Sequence, residues 1–330
     1  NGGLLVRNDG LNGGLILTGK NTYTGATTVA SGSLTAEARG LGATSALNVS
    51  NGAAYTNAGL NTVGSLDVKG NLDLKSATTL EITSGTNAIT DTATVSGNGV
   101  LNLNGGGLAV TPTATSTSGY MGAVGLAVGT DLHLAGTGGA VGLGTGVIKT
   151  AAGADVLVSG VGNRTLTNTI AGAGTLTVNL GASGNLFSFN DGQSTNGFTG
   201  TLNLTSGSVD LTADDVLQSA TLATNPNAVV IVNDSESTKD RSVGSLHFAG
   251  GRLDFGTIDT TNANSGQIVV SGGVTLDTDT QTTVDFALSD LADANGAAAF
   301  GTGQKIYIIK DYQHLTGTAA GHFVFDETDQ

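Results

Sequence analysis

The chain has 330 residues, with 53 Gly, 49 Thr, 26 Asn, 2 Pro and no Cys or Trp, and a formal net charge of -14. The missing Cys excludes a disulfide framework, a thiolate zinc site, an iron–sulfur cluster and a cysteine nucleophile. Hydrophobic residues at 38% and charged residues at 12% set it apart from disordered chains, and Gly without a three-residue period from collagen.

The chain opens with Asn1-Gly2-Gly3 and an apolar pair, without the basic start of a signal peptide, so it is expected to begin within a fold. Short apolar/polar alternations follow in order: Leu15-Ile16-Leu17, Leu66-Asp67-Val68, Leu72-Asp73-Leu74, Leu101-Asn102-Leu103, Leu176-Thr177-Val178, Leu202-Asn203-Leu204 and Val209-Asp210-Leu211. Period two marks strands with one face inward and one outward. Asn51-Gly52, Asn98-Gly99, Asp191-Gly192 and Asn196-Gly197 punctuate them as turns. The most apolar run, Met121 to Val128, is short and broken by Gly, so no transmembrane helix is expected. With no Trp, five Tyr and nine Phe, the chain lacks the aromatic girdles of a membrane barrel. Helical periodicity is confined to Ala287–Ala299 and a single short turn at Asp214–Leu222, while 111–119, 233–241 and 291–303 read as protruding loops.

Many very short strands suit a sandwich, a propeller or a solenoid, but a sandwich favours five or six residues per strand and usually a few large core aromatics. In a solenoid they suffice, because neighbouring rungs stack on each strand. Val, Leu, Ile and Ala would fill the interior, and Thr and Asn would line the outside. The expected fold is all-β, a single right-handed parallel β-helix over 1–330, with rungs of about 20–25 residues.

Charge is uneven. Residues 1–165 carry 7 basic and 8 acidic side chains, and residues 166–330 carry 5 and 18. The second half repels nucleic acid and anionic lipid, and no Lys/Arg cluster offers a phosphate footprint. Neither nucleic acid nor direct membrane insertion is expected. The Asp residues read first as solvated turns.

One repeat unit is clear: Leu15-Ile-Leu-Thr-Gly-Lys-Asn-Thr-Tyr-Thr-Gly-Ala-Thr-Thr-Val-Ala-Ser-Gly-Ser-Leu34. A looser copy joins Gly172–Val178 to Asn196-Gly-Phe198-Thr-Gly200 and Leu202–Val209, and a weaker echo spans Ile268–Leu276. In both copies an aromatic caps a corner, Gly permits the bend, and Ser-Gly-Ser makes the next bend. Through Leu15, Leu17, Gly19, Asn21, Tyr23, Gly25, Thr27, Val29, Gly32 and Leu34, the unit resembles the passenger-associated transport repeat of type V autotransporters.

The resemblance implies a passenger domain exported across the outer membrane of a Gram-negative bacterium by a C-terminal barrel that this sequence lacks. It implies a β-helix working as a cell-surface adhesin or self-associating protein. Its partners would be copies of itself on neighbouring cells, or a host glycan or matrix protein. A passive stalk is the alternative within the same resemblance.

Catalytic chemistry is sparse. Gly14–Asn21 nearly spells a phosphate-binding loop, but Asn21 replaces the metal-binding hydroxyl and no helix is expected to follow. No Gly-x-Ser-x-Gly elbow and no Gly-Asp-Ser occurs. His133, His247, His314 and His322 form no metal-binding pair, and His133 and His247 belong on an outer face. Asp214-Asp215, Asp277-x-Asp279 and Asp234-x-Glu236 are oxygen clusters of the kind Ca²⁺ uses, read here as turns. Asp240-Arg241 and Arg252-x-Asp254 are the compact acid–base neighbours that a polysaccharide-cleaving β-helix would need. The expectation is a binding protein with no catalytic, cofactor or metal residues.

Overall fold

The computed structural model describes residues 2–8, 14–90, 92–111, 119–135, 139–189, 197–211, 217–232, 241–257, 268–277, 280–287, 309–310, 313–317 and 323–326. Every regular element among them is a β-strand, and every strand pair with a resolved register is parallel. The fold is a parallel β-solenoid. Its strands form two compact units, residues 1–160 with 164–176, and residues 161–163 with 177–330.

In the first unit the strands stack in three columns. One column runs Leu4–Val6, Thr27–Val29, Ala46–Val49, Ser65–Val68, Thr86–Ile89, Gly107–Val110, Asp131–Leu134 and Asp155–Ser159. A second runs from Gly14–Leu17 to Gly119–Tyr120, and a third from Leu60–Val63 to Thr169–Gly172. A turn takes from 17 residues, Ala54 to Asn71, to 25, Ala140 to Thr165. The rung length read from the sequence therefore holds for most turns.

Three or four residues suffice per strand because the inner strands of a column are paired on both sides and most bury two side chains. The pattern intermediate–buried–intermediate–buried recurs in Ser33–Ala36, Ala46–Val49, Ser65–Val68 and Val100–Leu103. Inward residues stack in register. Val29, Val49, Val68, Ile89, Val110, Leu134 and Val158 form one continuous aliphatic ladder, each at most 2% exposed. Leu80, Leu101, Val124, Ile148 and Ile170 form another. Each buried aliphatic contributes about 1.5–3 kcal/mol before chain entropy is charged against it.

In the second unit strands are longer. Thr201–Asp210 and Leu217–Ile231 pair over nearly their whole length, with the register shifting between Leu204 and Ser206. This corrects the helical turn expected at Asp214–Leu222: Leu217–Leu222 is strand. Leu217, Ala220 and Leu222 are buried inward residues, and lateral pairing with Thr201–Leu204 and Ser245–Phe248 outweighs a weak local preference for helix. Asp214 itself, most of Ala287–Ala299, and the loops 111–119, 233–241 and 291–303 lie outside the described residues, apart from Thr111, Gly119 and Arg241 at their ends. Ser206-Gly207-Ser208 lies within a strand, with Gly207 at φ +96° just after the register shift, so the second repeat copy bends inside its strand.

The first strand of the repeat unit is also revised. Leu15 and Ile16 are exposed, Ile16 at 60%, although the motif pattern would put Leu15 and Leu17 inward. Among the described residues their strand pairs only with Ser33–Ala36.

Candidate functional site

The corners carry buried amides that composition alone does not reveal. Leu60 is 48% exposed while its neighbour Asn61 is 2% exposed. Asn61 Nδ2 donates to Asn57 Oδ1 (2.8 Å) and Ala36 O (3.3 Å), and its Oδ1 accepts from Leu41 N (3.2 Å). Asn57 Oδ1 also accepts from the Tyr55 hydroxyl (2.9 Å), and its Nδ2 donates to Gly59 O (2.8 Å). Asn87 accepts from Leu66 N (2.7 Å) and donates to Gly107 O (2.9 Å), bridging three rungs. Asn168 accepts from Leu143 N (2.8 Å) and donates to Gly146 O (2.8 Å). These clips satisfy backbone groups that turns leave outside the ladders. They are structural, not chemical, groups.

The tyrosines follow the same logic. Tyr55 and Tyr120 are fully buried, and burial pushes both phenols well above their ordinary value. Tyr120 donates to Gly99 O or Ala123 O at 3.0 and 2.9 Å. Tyr23, the aromatic of the repeat, is half-buried, raised by the same cause, and contacts Thr27 Oγ1 at 2.9 Å. Phe198, the aromatic of the second copy, is fully buried.

The outward faces are where a ligand has access. In the third column the outward residues stack as Thr62, Glu81, Asn102, Gly125, Lys149 and Ala171. Thr62 Oγ1 donates to Glu81 Oε2 at 3.2 Å. From Asn102 onward the column sinks into an open groove of about 470 Å³ lined by Asn102, Asn104, Gly125, Lys149, Ala171 and neighbouring small residues. Gly125 and Ala171 leave space on either side of Lys149. Among the described residues, the side chains of Asn102, Asn104 and Lys149 have no hydrogen-bond or ion-pair partner. The other columns hold Asn48 beside Thr28 (3.4 Å), Asp67 with Lys69 (3.5 Å), and Asp73 with Lys75 (2.5 Å).

The residues singled out from the sequence are scattered. Gly14–Leu17 is a strand and Gly19, at φ +72°, makes a turn, with no helix following, so the near-match to a phosphate loop is repeat geometry. His133 lies outward and contacts Ser159 Oγ at 2.6 Å. His247, 42% exposed in its side chain, pairs with Asp277 at 2.9 Å. His314 is exposed. Arg241 is buried and its Nε donates to Val232 O (3.1 Å), while Arg252 and Asp254 stand 3.8 Å apart. His322, Asp214, Asp215, Asp234, Glu236, Asp240 and Asp279 lie outside the described residues. Among the described residues no three His, Cys, Asp or Glu side chains gather as a metal site, and no helix is long and apolar enough to cross a membrane.

Comparisons with protein-family models, with curated proteins and with solved structures return no match.

Proposed function

We propose that the chain is a binding protein of a bacterial cell surface, an adhesin or self-association passenger exported across the outer membrane, acting through its outward columns without catalysis. The observation that carries this reading is the stacking of short polar outward residues on successive rungs, as in Thr62–Glu81–Asn102 and Thr35–Thr56–Asp73. Backbone groups on these faces are already consumed by parallel ladders, so contact is made by side chains. Each contact is weak, and many copies on a cell supply strength through multivalency. The repeat unit at Leu15–Leu34 supports the export route by resemblance.

The near-neutral first half suits self-contact better than the acidic second half, where like charges would face each other. Display of the chain on a non-adherent bacterium tests the reading. Faster settling of cells, or attachment to glycan- or matrix-coated surfaces, is expected. Cells that neither clump nor attach, with the chain shown to be on the surface, refute it. Attachment that survives deletion of this chain from a larger displayed protein would make it a stalk.

A further inference from the structure

We propose that the groove crossing Asn102, Gly125, Lys149 and Ala171 binds a carboxylated oligosaccharide laid along the stack of rungs. This names a ligand class for the surface-binding reading and rests on it for its biological setting. Three features converge. The groove is concave and about 470 Å³, within the range of small-ligand sites. Its one cation, Lys149, is exposed and has no anionic partner among the described residues. Its amides, Asn102 and Asn104, are likewise without partners, and an amide both donates to and accepts from sugar hydroxyls.

The floor is shaped by register. Gly125 sits between Asn102 and Lys149 in one outward column, and a Cβ there would press on Asn102 Oδ1. Small residues Ala127, Ala151 and Ala171 keep the rest of the floor low and apolar, which suits the C–H face of a pyranose ring. Adjacent rungs are about 4.8 Å apart, so the four positions span about 14 Å, room for a short run of sugars. Glu81 is the nearest acid in the column, one rung beyond Asn102 and three from Lys149, and it is engaged by Thr62. Apart from Ala171 and Gly172, the groove is lined from the half of the chain with 7 basic and 8 acidic residues, so an anionic ligand is repelled less there than in the second half.

A peptide fits less well. Peptides join sheets at free edges, where main-chain groups are open. Most of this groove lies on a sheet face whose strands Val100–Leu103, Val124–Leu126 and Val147–Thr150 are paired on both sides. No aromatic side chain or deep pocket lines it to hold a peptide side chain.

Isothermal titration of the purified full chain tests the inference with three probes: oligogalacturonate, its carboxyl-reduced oligogalactose counterpart, and a sulfated oligosaccharide of equal length. Oligogalacturonate is expected to bind, with affinity falling as salt rises. Lys149→Gln should weaken it roughly tenfold or more, as loss of a charge-assisted contact does, and Lys149→Arg should restore most of it. Gly125→Thr, which suits a strand and fills the groove, should also weaken it, with the circular dichroism unchanged in every variant. The inference is overturned by no oligogalacturonate binding, by equal binding of the reduced probe, by binding of the sulfated probe alone, or by indifference to both groove substitutions. Cells that stay unattached although the chain binds oligogalacturonate through Lys149 would sink the adhesin reading and leave the groove. Cells that attach although no carboxylated probe binds would do the reverse.

Discussion

Replacing Asn57 with Ala removes the hub of the corner network beneath the strand Ala54–Asn57. Asn57 Oδ1 accepts from Tyr55 and Asn61, and Nδ2 donates to Gly59 O. Asn61 keeps its bond to Ala36 O, and Gly59 O keeps one from Thr79 N (3.3 Å). The group left bare is the Tyr55 hydroxyl, on a side chain that is 0% exposed. An orphaned buried donor costs about 1–3 kcal/mol, and the two other lost bonds about 0.5–1.5 kcal/mol each. Asn57→Ala should therefore destabilise by about 2–6 kcal/mol. Tyr55→Phe removes the orphan in advance, so the double variant should cost less than the sum of the singles by about 1–2 kcal/mol. Urea unfolding followed by circular dichroism measures both, with hydrogen exchange at neighbouring rungs to show whether the loss is local, as nearest-neighbour stacking implies. A cost below about 1 kcal/mol for Asn57→Ala, or strict additivity of the pair, would refute the clip argument.

Other consequences follow from the same packing. Gly144 has φ +74°, and a Cβ there would run into the Tyr120 carbonyl; Gly144→Ala should lower the urea midpoint by an equivalent of roughly 1–3 kcal/mol or more, and an unchanged midpoint would contradict the placement. Leu80 is fully buried in the aliphatic ladder of the third column, so Leu80→Ala should cost about 2–5 kcal/mol by the same assay. Burial raises Tyr55 and Tyr120 above their ordinary value of 10.0, so the unfolded chain loses these protons first as pH rises. Stability from this source is intact below about pH 10 and declines above it, and Tyr120→Phe should flatten that decline in urea midpoints taken across alkaline pH.

The fold class was legible because it depends on period and length. Leu66-Asp67-Val68 and Leu72-Asp73-Leu74 alternate as read, and their inward leucines and valines are buried. Corners were less legible. In Leu60-Asn61-Thr62-Val63, hydrophobicity alone would turn Leu60 inward, yet the amide of Asn61 wins the interior because only it can satisfy the turn's backbone groups. Asn87, inward between Leu66 and Leu108, is the same case. The groove could not be read from sequence, since Asn102, Gly125 and Lys149 become neighbours only through inter-rung register. At Leu217–Leu222 lateral pairing overrode local preference, and no local signal marks that.

In-register stacking places every outward column and the groove. Because the chain has no Cys, paired cysteines report register directly. Asn48 and Asp67 face each other across adjacent rungs, whereas Ala46 pairs with Ser65 and lies two residues from register with Asp67. Adjacent strands put the first pair about 4.8 Å apart, within disulfide reach, while the offset takes the second to about 8 Å, beyond it. Under mild oxidation, Asn48→Cys/Asp67→Cys should cross-link nearly completely within one chain, and Ala46→Cys/Asp67→Cys should stay reduced. Equal cross-linking of the two pairs, or a preference for the second, would contradict the solenoid's register and with it the groove.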